Sequence, residues 1–127
     1  VVQDPITLKR LGEIATQGPF VANAPVVIAI AMENAPRPQL DAGRAIQQME
    51  LVAWSEGLGT CFVGVRQEEQ QLAVKDLLGI PAELELITVM PYGYRVTGTG
   101  RKGTPRKAIS EMAHREMFGQ AFSGYES

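Results

Sequence analysis

One cysteine and one histidine stand in a chain of 127 residues. Cys61 alone cannot form an internal disulfide, and a single Cys with a single His cannot build a zinc cluster. No apolar run reaches the length that spans a bilayer, and the amino end lacks the basic-then-apolar layout of a signal peptide. Net charge is -2, from twelve basic and fourteen acidic residues. No broad field therefore draws the chain to nucleic acid or to an anionic membrane, and any anion site must be local. These absences fit a cytoplasmic protein with neither a nucleic acid nor a membrane as partner.

What is present is a core. Hydrophobic residues make up 45% of the chain and charged residues 20%, which fits one globular domain over 1–127. The chain opens on Val1-Val2, with no Met, and runs straight into a helix start. The β-branched pair reads as a strand that has lost its upstream part, so a chain incomplete at the amino end is expected.

Asp4-Pro5 is that helix start, with a side-chain acceptor for free N–H groups and a proline that tolerates the first helical position. Leu8, Leu11, Ile14 and Ala15 fall on one face, and Gly18-Pro19 stops the helix. The run from Val26 to Ile30 is branched, apolar and short, the signature of a buried strand. After the stiff Pro36-Arg37-Pro38 connector, Asp41 is expected to cap a second helix, with Ala42, Ala45, Ile46, Met49, Val52 and Ala53 at helical spacing. Leu51 and Trp54 lie on an adjoining face, so this helix is expected to pack on two sides. Gly57 suits its left-handed end, with Leu58 folding back on the last turn. A strand over 60–65, a helix over 67–78 and a strand over 84–90 come next. A Gly-rich loop over 93–103 then precedes a last helix over 105–118, and 119–127 reads as a weakly ordered tail.

Few residues carry chemistry. Gly98-Thr99-Gly100-Arg101-Lys102-Gly103 matches the G-x-G-x-x-G string of dinucleotide folds, but a second parallel strand ending about twenty residues on in a ribose-binding acid is not found after it, and Pro105 and the few apolar residues of the loop also speak against that reading. A flexible connector is the better reading. Arg101, Lys102, Arg106 and Lys107 form the one dense basic cluster. The last two stand at an expected helix start, where the dipole disfavours cations unless an anion is bound there; a solvated loop explains them equally well. His114 has no activated nucleophile near it in sequence and reads as a surface histidine, and Cys61 has nothing basic beside it to lower its pKa and reads as a small buried hydrophobe. Gly64 lies in an expected buried strand. A missing side chain there admits close approach by a planar cofactor, or marks a β-bulge.

Several segments together resemble the nitroreductase family. They are Asn23-Ala24-Pro25-Val26-Val27-Ile28, Asp41-Ala42-Gly43, Leu51-Val52-Ala53-Trp54 and the run from Gly57 to Gly64. Leu77-Leu78-Gly79-Ile80-Pro81 and Pro91-Tyr92-Gly93-Tyr94 continue the likeness, which covers most of 1–118. The resemblance implies an α+β fold, a three-layer α-β-α arrangement with a mixed central sheet, and an intertwined homodimer holding FMN at its interface. By position, the backbone of Phe62, Val63, Gly64 and Val65 would lie beside the flavin ring, with an amide near Gly64 bonding N5 or O4. Arg106 and Lys107, with Lys102 as a helper, would contact the FMN phosphate. The implied activity passes hydride from NADH or NADPH through flavin N5 to a small planar acceptor such as a nitroaromatic or quinone. No side chain is then needed as acid, base or nucleophile, because the flavin carries the chemistry. Alternatives are dehydrogenation, dehalogenation or flavin fragmentation on the same fold, a non-catalytic flavin or nucleotide binder, and a purely structural domain. The family's amino-terminal region, with further FMN contacts and dimer helices, has no counterpart in these residues.

Overall fold

The computed structural model describes residues 1–96, 98 and 103–122. They fall into two compact units, Val1–Val96 and Thr97–Ser127. In the first, helix α1 (Pro5–Ile14) starts as its sequence predicts. The Asp4 carboxylate accepts from the Thr7 N–H at 2.8 Å and from the Thr7 hydroxyl at 2.7 Å. These bonds, the hydroxyl's first, hold the Asp4 carboxyl below its ordinary pKa. Leu8, Leu11 and Ala15 are buried, which fixes the inward face of α1. A short 3-10 helix (Pro19–Asn23) leads into strand β1 (Val26–Met32). Val2 exchanges backbone bonds with Val27 along the outer edge of β1.

Helix α2 (Pro38–Ser55), strand β2 (Leu58–Thr60), helix α3 (Glu68–Leu78) and strand β3 (Glu85–Tyr94) complete this unit. The sheet order is β1-β3-β2, with β3 central and both of its neighbours antiparallel. One core layer joins α1 and α3 to the sheet through Leu8, Leu11, Val27, Val74 and Val89. The other joins α2 to the opposite face through Ala42, Ile46, Ala53, Met90 and Tyr92. The α+β class and the three layers are as expected. The mixed sheet is corrected for the described residues, whose ladder is antiparallel throughout because β3 runs opposite to both its neighbours.

A bulge sets which side chains of β3 face which layer. Ile30 pairs with Thr88 and Ala31 with Leu86, so β3 holds one extra residue there. Leu86 and Val89, three apart, consequently share one core layer, while Ile87 and Met90 share the other.

Three local expectations are corrected. Helix α2 begins at Pro38, and Arg37, not Asp41, is its N-cap residue. Proline at the first helical position needs no N–H and is already set near helical φ, so Asp41 falls in the first turn, where its charge still suits the dipole. Leu51, Val52 and Trp54 are 61%, 63% and 65% exposed, so among the described residues of this unit α2 packs on one side. Gly57 takes the expected left-handed φ of 74°, and Leu58, the first residue of β2, packs against the α2 core layer that includes Ala53. The strand expected over 60–65 is the shorter β2, for a reason that shapes the candidate site.

In the second unit the helix expected over 105–118 is the four-residue α4 (Ile109–Met112). Ala113 is extended, and Glu116 takes a left-handed φ of 64° in a turn that brings Ala121 back to bridge His114. Met112, Met117 and Phe118 are 61%, 65% and 93% exposed, so no buried apolar face supports a longer helix. Of the G-x-G-x-x-G string and the expected tail, 99–102 and 123–127 lie outside the described residues.

Candidate functional site

The site grows from one irregularity in the sheet. Gly59 pairs with Gly93 and Thr60 with Tyr92, so the next position on β3 is Pro91, facing Cys61. Alternate residues of a strand present their backbone groups to the same neighbour. The Val89 N–H reaches the Val63 carbonyl at 3.3 Å, and by the same alternation Pro91 faces that side too. Proline has no N–H to give, so the ladder breaks and β2 ends at Thr60.

Pairing resumes at an isolated bridge between Gly64 and Thr88. Thr88 is fully buried, and its hydroxyl serves Val63 twice. It donates to the Val63 carbonyl at 2.9 Å and accepts from the Val63 N–H at 3.2 Å. The Val63 side chain is buried as well, and a Cβ on Gly18 would come within 2.5 Å of its Cγ1. Val63 is thus clamped, with its backbone turned into the sheet. Its neighbours Phe62 and Gly64 then turn their N–H and carbonyl groups the other way, to the free edge.

Two cavities flank this edge. One, of about 420 Å³, is lined by Gln17, Phe20 and Gln70 from the α1 and α3 side. The other, of about 460 Å³, is lined by Gly43, Ile46 and Glu85 from the α2 side. Phe62, Gly64 and Arg66 line both. The Gln71 amide donates to the Val65 carbonyl at 2.9 Å, and the Gln39 amide donates to Glu85 at 2.8 Å, which closes the α2-side wall.

The protein gives no internal reason for a glycine at 64. Its φ is not positive, and a Cβ would meet Arg66 Nε at 3.4 Å and Phe62 Cε1 at 3.5 Å, ordinary contacts. The bulge lies across in β3. What the missing side chain leaves open is the approach to the edge itself, which fits a planar group lying against the backbone.

The four strip residues divide by role. Phe62 is 50% exposed and Gly64 half-buried, while Val63 and Val65 anchor the strip in the core. Arg106 and Lys107 are exposed in the second unit, ahead of α4 and its N-cap Ala108 instead of at a helix start. Lys102 lies outside the described residues. Cys61 is half-buried, and burial, followed by the Glu50 carboxylate, pushes its thiol pKa up, so it is no poised nucleophile. His114 is half-buried, with its ring 4.4 Å from that of Phe118, and its Nδ1 is buried without a hydrogen bond, where a surface histidine was expected. No group of three or more metal-ligating side chains occurs among the described residues. No helix among them is long and apolar enough to cross a membrane. Sequence reasoning missed Thr88 and Arg66. Thr88 was visible as the one hydroxyl inside an apolar run, and Arg66 as the cation two residues beyond Gly64.

Residues 8–94 match the nitroreductase family. The chain belongs to that family. A curated protein of Archaeoglobus fulgidus named "Putative NADH dehydrogenase/NAD(P)H nitroreductase" is 30% identical over 105 residues, covering 74% of this chain and 58% of its own. The chain thus spans somewhat over half the length of that relative. Among solved structures, an FMN-dependent nitroreductase from Clostridium difficile R20291 superposes with a TM-score of 0.73 at 23% identity, covering 92% of this chain and 73% of that one. Oxidised iodotyrosine deiodinase bound to FMN and 3-iodo-L-tyrosine also gives 0.73, at 18% identity, over 85% and 70%. At such identities these two likenesses establish the fold.

Proposed function

We propose that this chain contributes the ring-binding edge of an FMN-dependent oxidoreductase that takes hydride from NADH or NADPH and passes it to a planar acceptor such as a nitroaromatic or quinone. The observation that carries this reading is the free backbone edge at Phe62 and Gly64, open to a cavity on each side, in a family whose structural neighbours include FMN proteins. The residues fit the group. The Gly64 N–H is a donor for flavin N5 or O4, and Phe62 forms an apolar wall. When bound, FMN supplies the hydride chemistry at N5. The chain's part is to hold that N–H where negative charge develops, on a strip whose position is already fixed by Thr88, so that little reorganisation accompanies reaction. Phe62 keeps water from the edge. Arg106 and Lys107, with Lys102, hold the FMN phosphate, and a second copy of the chain completes the site.

The test is the visible spectrum of the purified full-length protein. Bound flavin that NADH or NADPH bleaches, and that a nitroaromatic or quinone restores, is the expected result. A colourless protein that takes up no added FMN overturns the reading, and flavin that no nicotinamide donor reduces leaves a binder and not this enzyme.

A further inference from the structure

The cavity on the α1 and α3 side differs from its counterpart in charge. Its lining combines two aromatic walls, Phe20 and Phe62, 48% and 50% exposed, with neutral amides such as Gln17 and Gln70 and a single charged group, Arg66. No carboxylate lines it, whereas Glu85 lines the α2-side cavity. Arg66 has no hydrogen-bond or ion-pair partner among the described residues. The Gln70 amide donor is already engaged by the Thr16 hydroxyl at 2.7 Å, so it braces the wall. A volume of about 420 Å³ lies at the small end of ligand pockets, enough for one substituted ring and too little for a whole dinucleotide.

We propose that this cavity receives the acceptor and that Arg66 makes it selective for planar aromatic molecules carrying a carboxylate. This rests on the proposed flavin site and adds a substrate class to it. A guanidinium presents a rigid fork that matches both oxygens of a carboxylate, while the phenyl rings of Phe20 and Phe62 offer faces and edges to an aromatic ring. Neutral isosteres gain the stacking and lose the ion pair. Because Arg66 is exposed, the selectivity is modest, since solvent screens part of the attraction.

The experiment compares 4-nitrobenzoate with 4-nitrobenzamide, which share ring, nitro group and size and differ in charge. Dissociation constants are measured by equilibrium dialysis on the oxidised, FMN-loaded full-length protein with no electron donor present. The expected result is tighter binding of the benzoate by about five- to tenfold, the scale of a partly screened charged hydrogen bond. In Arg66→Gln that preference disappears with the benzamide unchanged, and in Arg66→Lys part of it survives. FMN content and the affinities for NADH and NADPH stay as in the parent. Equal binding of the two probes by the parent overturns the proposal, as does an equal loss for both in Arg66→Gln. A variant that instead sheds FMN or shifts NADPH against NADH assigns Arg66 to the cofactor or donor and also overturns it. A protein that takes no FMN defeats the flavin reading, yet the same dialysis on the flavin-free chain still reads the Arg66 preference, so the two failures are separate.

Discussion

At the scale of single residues, Gly64 and Asp4 show two different uses of a small group. A Cβ on Gly64 would meet only the side chains of Arg66 and Phe62, at ordinary contact distance, and both are exposed and able to move aside, so Gly64→Val is expected to leave stability within about 1 kcal/mol. The same branched side chain would stand at the edge where the flavin ring is proposed to lie. FMN affinity should fall by tenfold or more while the circular dichroism spectrum and melting curve hold, and unchanged FMN affinity would count against the role given to the strip. Asp4 acts through the fold alone. Its folded pKa lies below the unfolded value because Thr7 donates to the ionised form, so its stabilisation is present above the ordinary carboxylate pKa and is lost as pH falls through the folded one. The stability gap between the parent and Asp4→Ala should be constant at neutral pH and close below about pH 4. Denaturant titrations at a series of pH values read this directly, and a gap that widens on acidification would contradict the capping account.

At the scale of elements, the sheet edge depends on residues far from it in sequence. Pro91 removes the N–H that would have zipped Cys61 onto β3, and Thr88 substitutes a hydroxyl for ladder bonds at Val63. Thr88→Val keeps the shape, leaves the buried Val63 N–H without its partner and leaves the Val63 carbonyl with the Val89 N–H alone, a loss of about 1–3 kcal/mol. Thr88→Ser keeps the hydroxyl. The serine variant should therefore recover the FMN affinity and the hydrogen-exchange protection of the Val63 amide that the valine variant loses, beyond any recovery of global stability; parallel behaviour of the two variants would reduce Thr88 to packing. This dependence also explains which elements were legible in the sequence. Helix α1 was legible because its cap, its proline and its apolar spacing are all local, and Gly79 likewise ends α3 in the left-handed conformation that its sequence signals. Strand β2 was misplaced because what ends it is a proline some thirty positions along the chain, which no local pattern around Thr60 or Cys61 can reveal. The start of α2 was misplaced because two good local signals, Pro38 and Asp41, competed. Gly64 was legible as an anomaly, but only the register shows that its backbone faces outward.

At the scale of the molecule, α2 has an apolar face that the described residues of its own unit leave uncovered. Leu51, Val52 and Trp54 are exposed, and beside them Ala45, Met49, Val52 and Leu58 line an open groove of about 500 Å³. Apolar surface gathered in this way marks a contact site more often than a solvated face. The proposed FMN site needs a second copy of the chain to be complete, and we propose that this face receives it. Trp54 is the one tryptophan, with the Arg95 guanidinium 3.8 Å from its ring centre, so it reports on this face alone. If the face meets its own copy, Trp54 emission should move to shorter wavelength as protein concentration rises, in step with a shift from monomer to dimer in sedimentation. Leu51→Glu sets a charge on the face without disturbing the core, since Leu51 is 61% exposed, and should hold the protein monomeric with a red emission and little change in melting temperature. It should also weaken FMN binding, because a site completed by a partner binds its ligand only as often as the partner is present. Monomers that bind FMN as well as the parent would separate the apolar face from the flavin site and leave the strip at Phe62 and Gly64 to act within one chain.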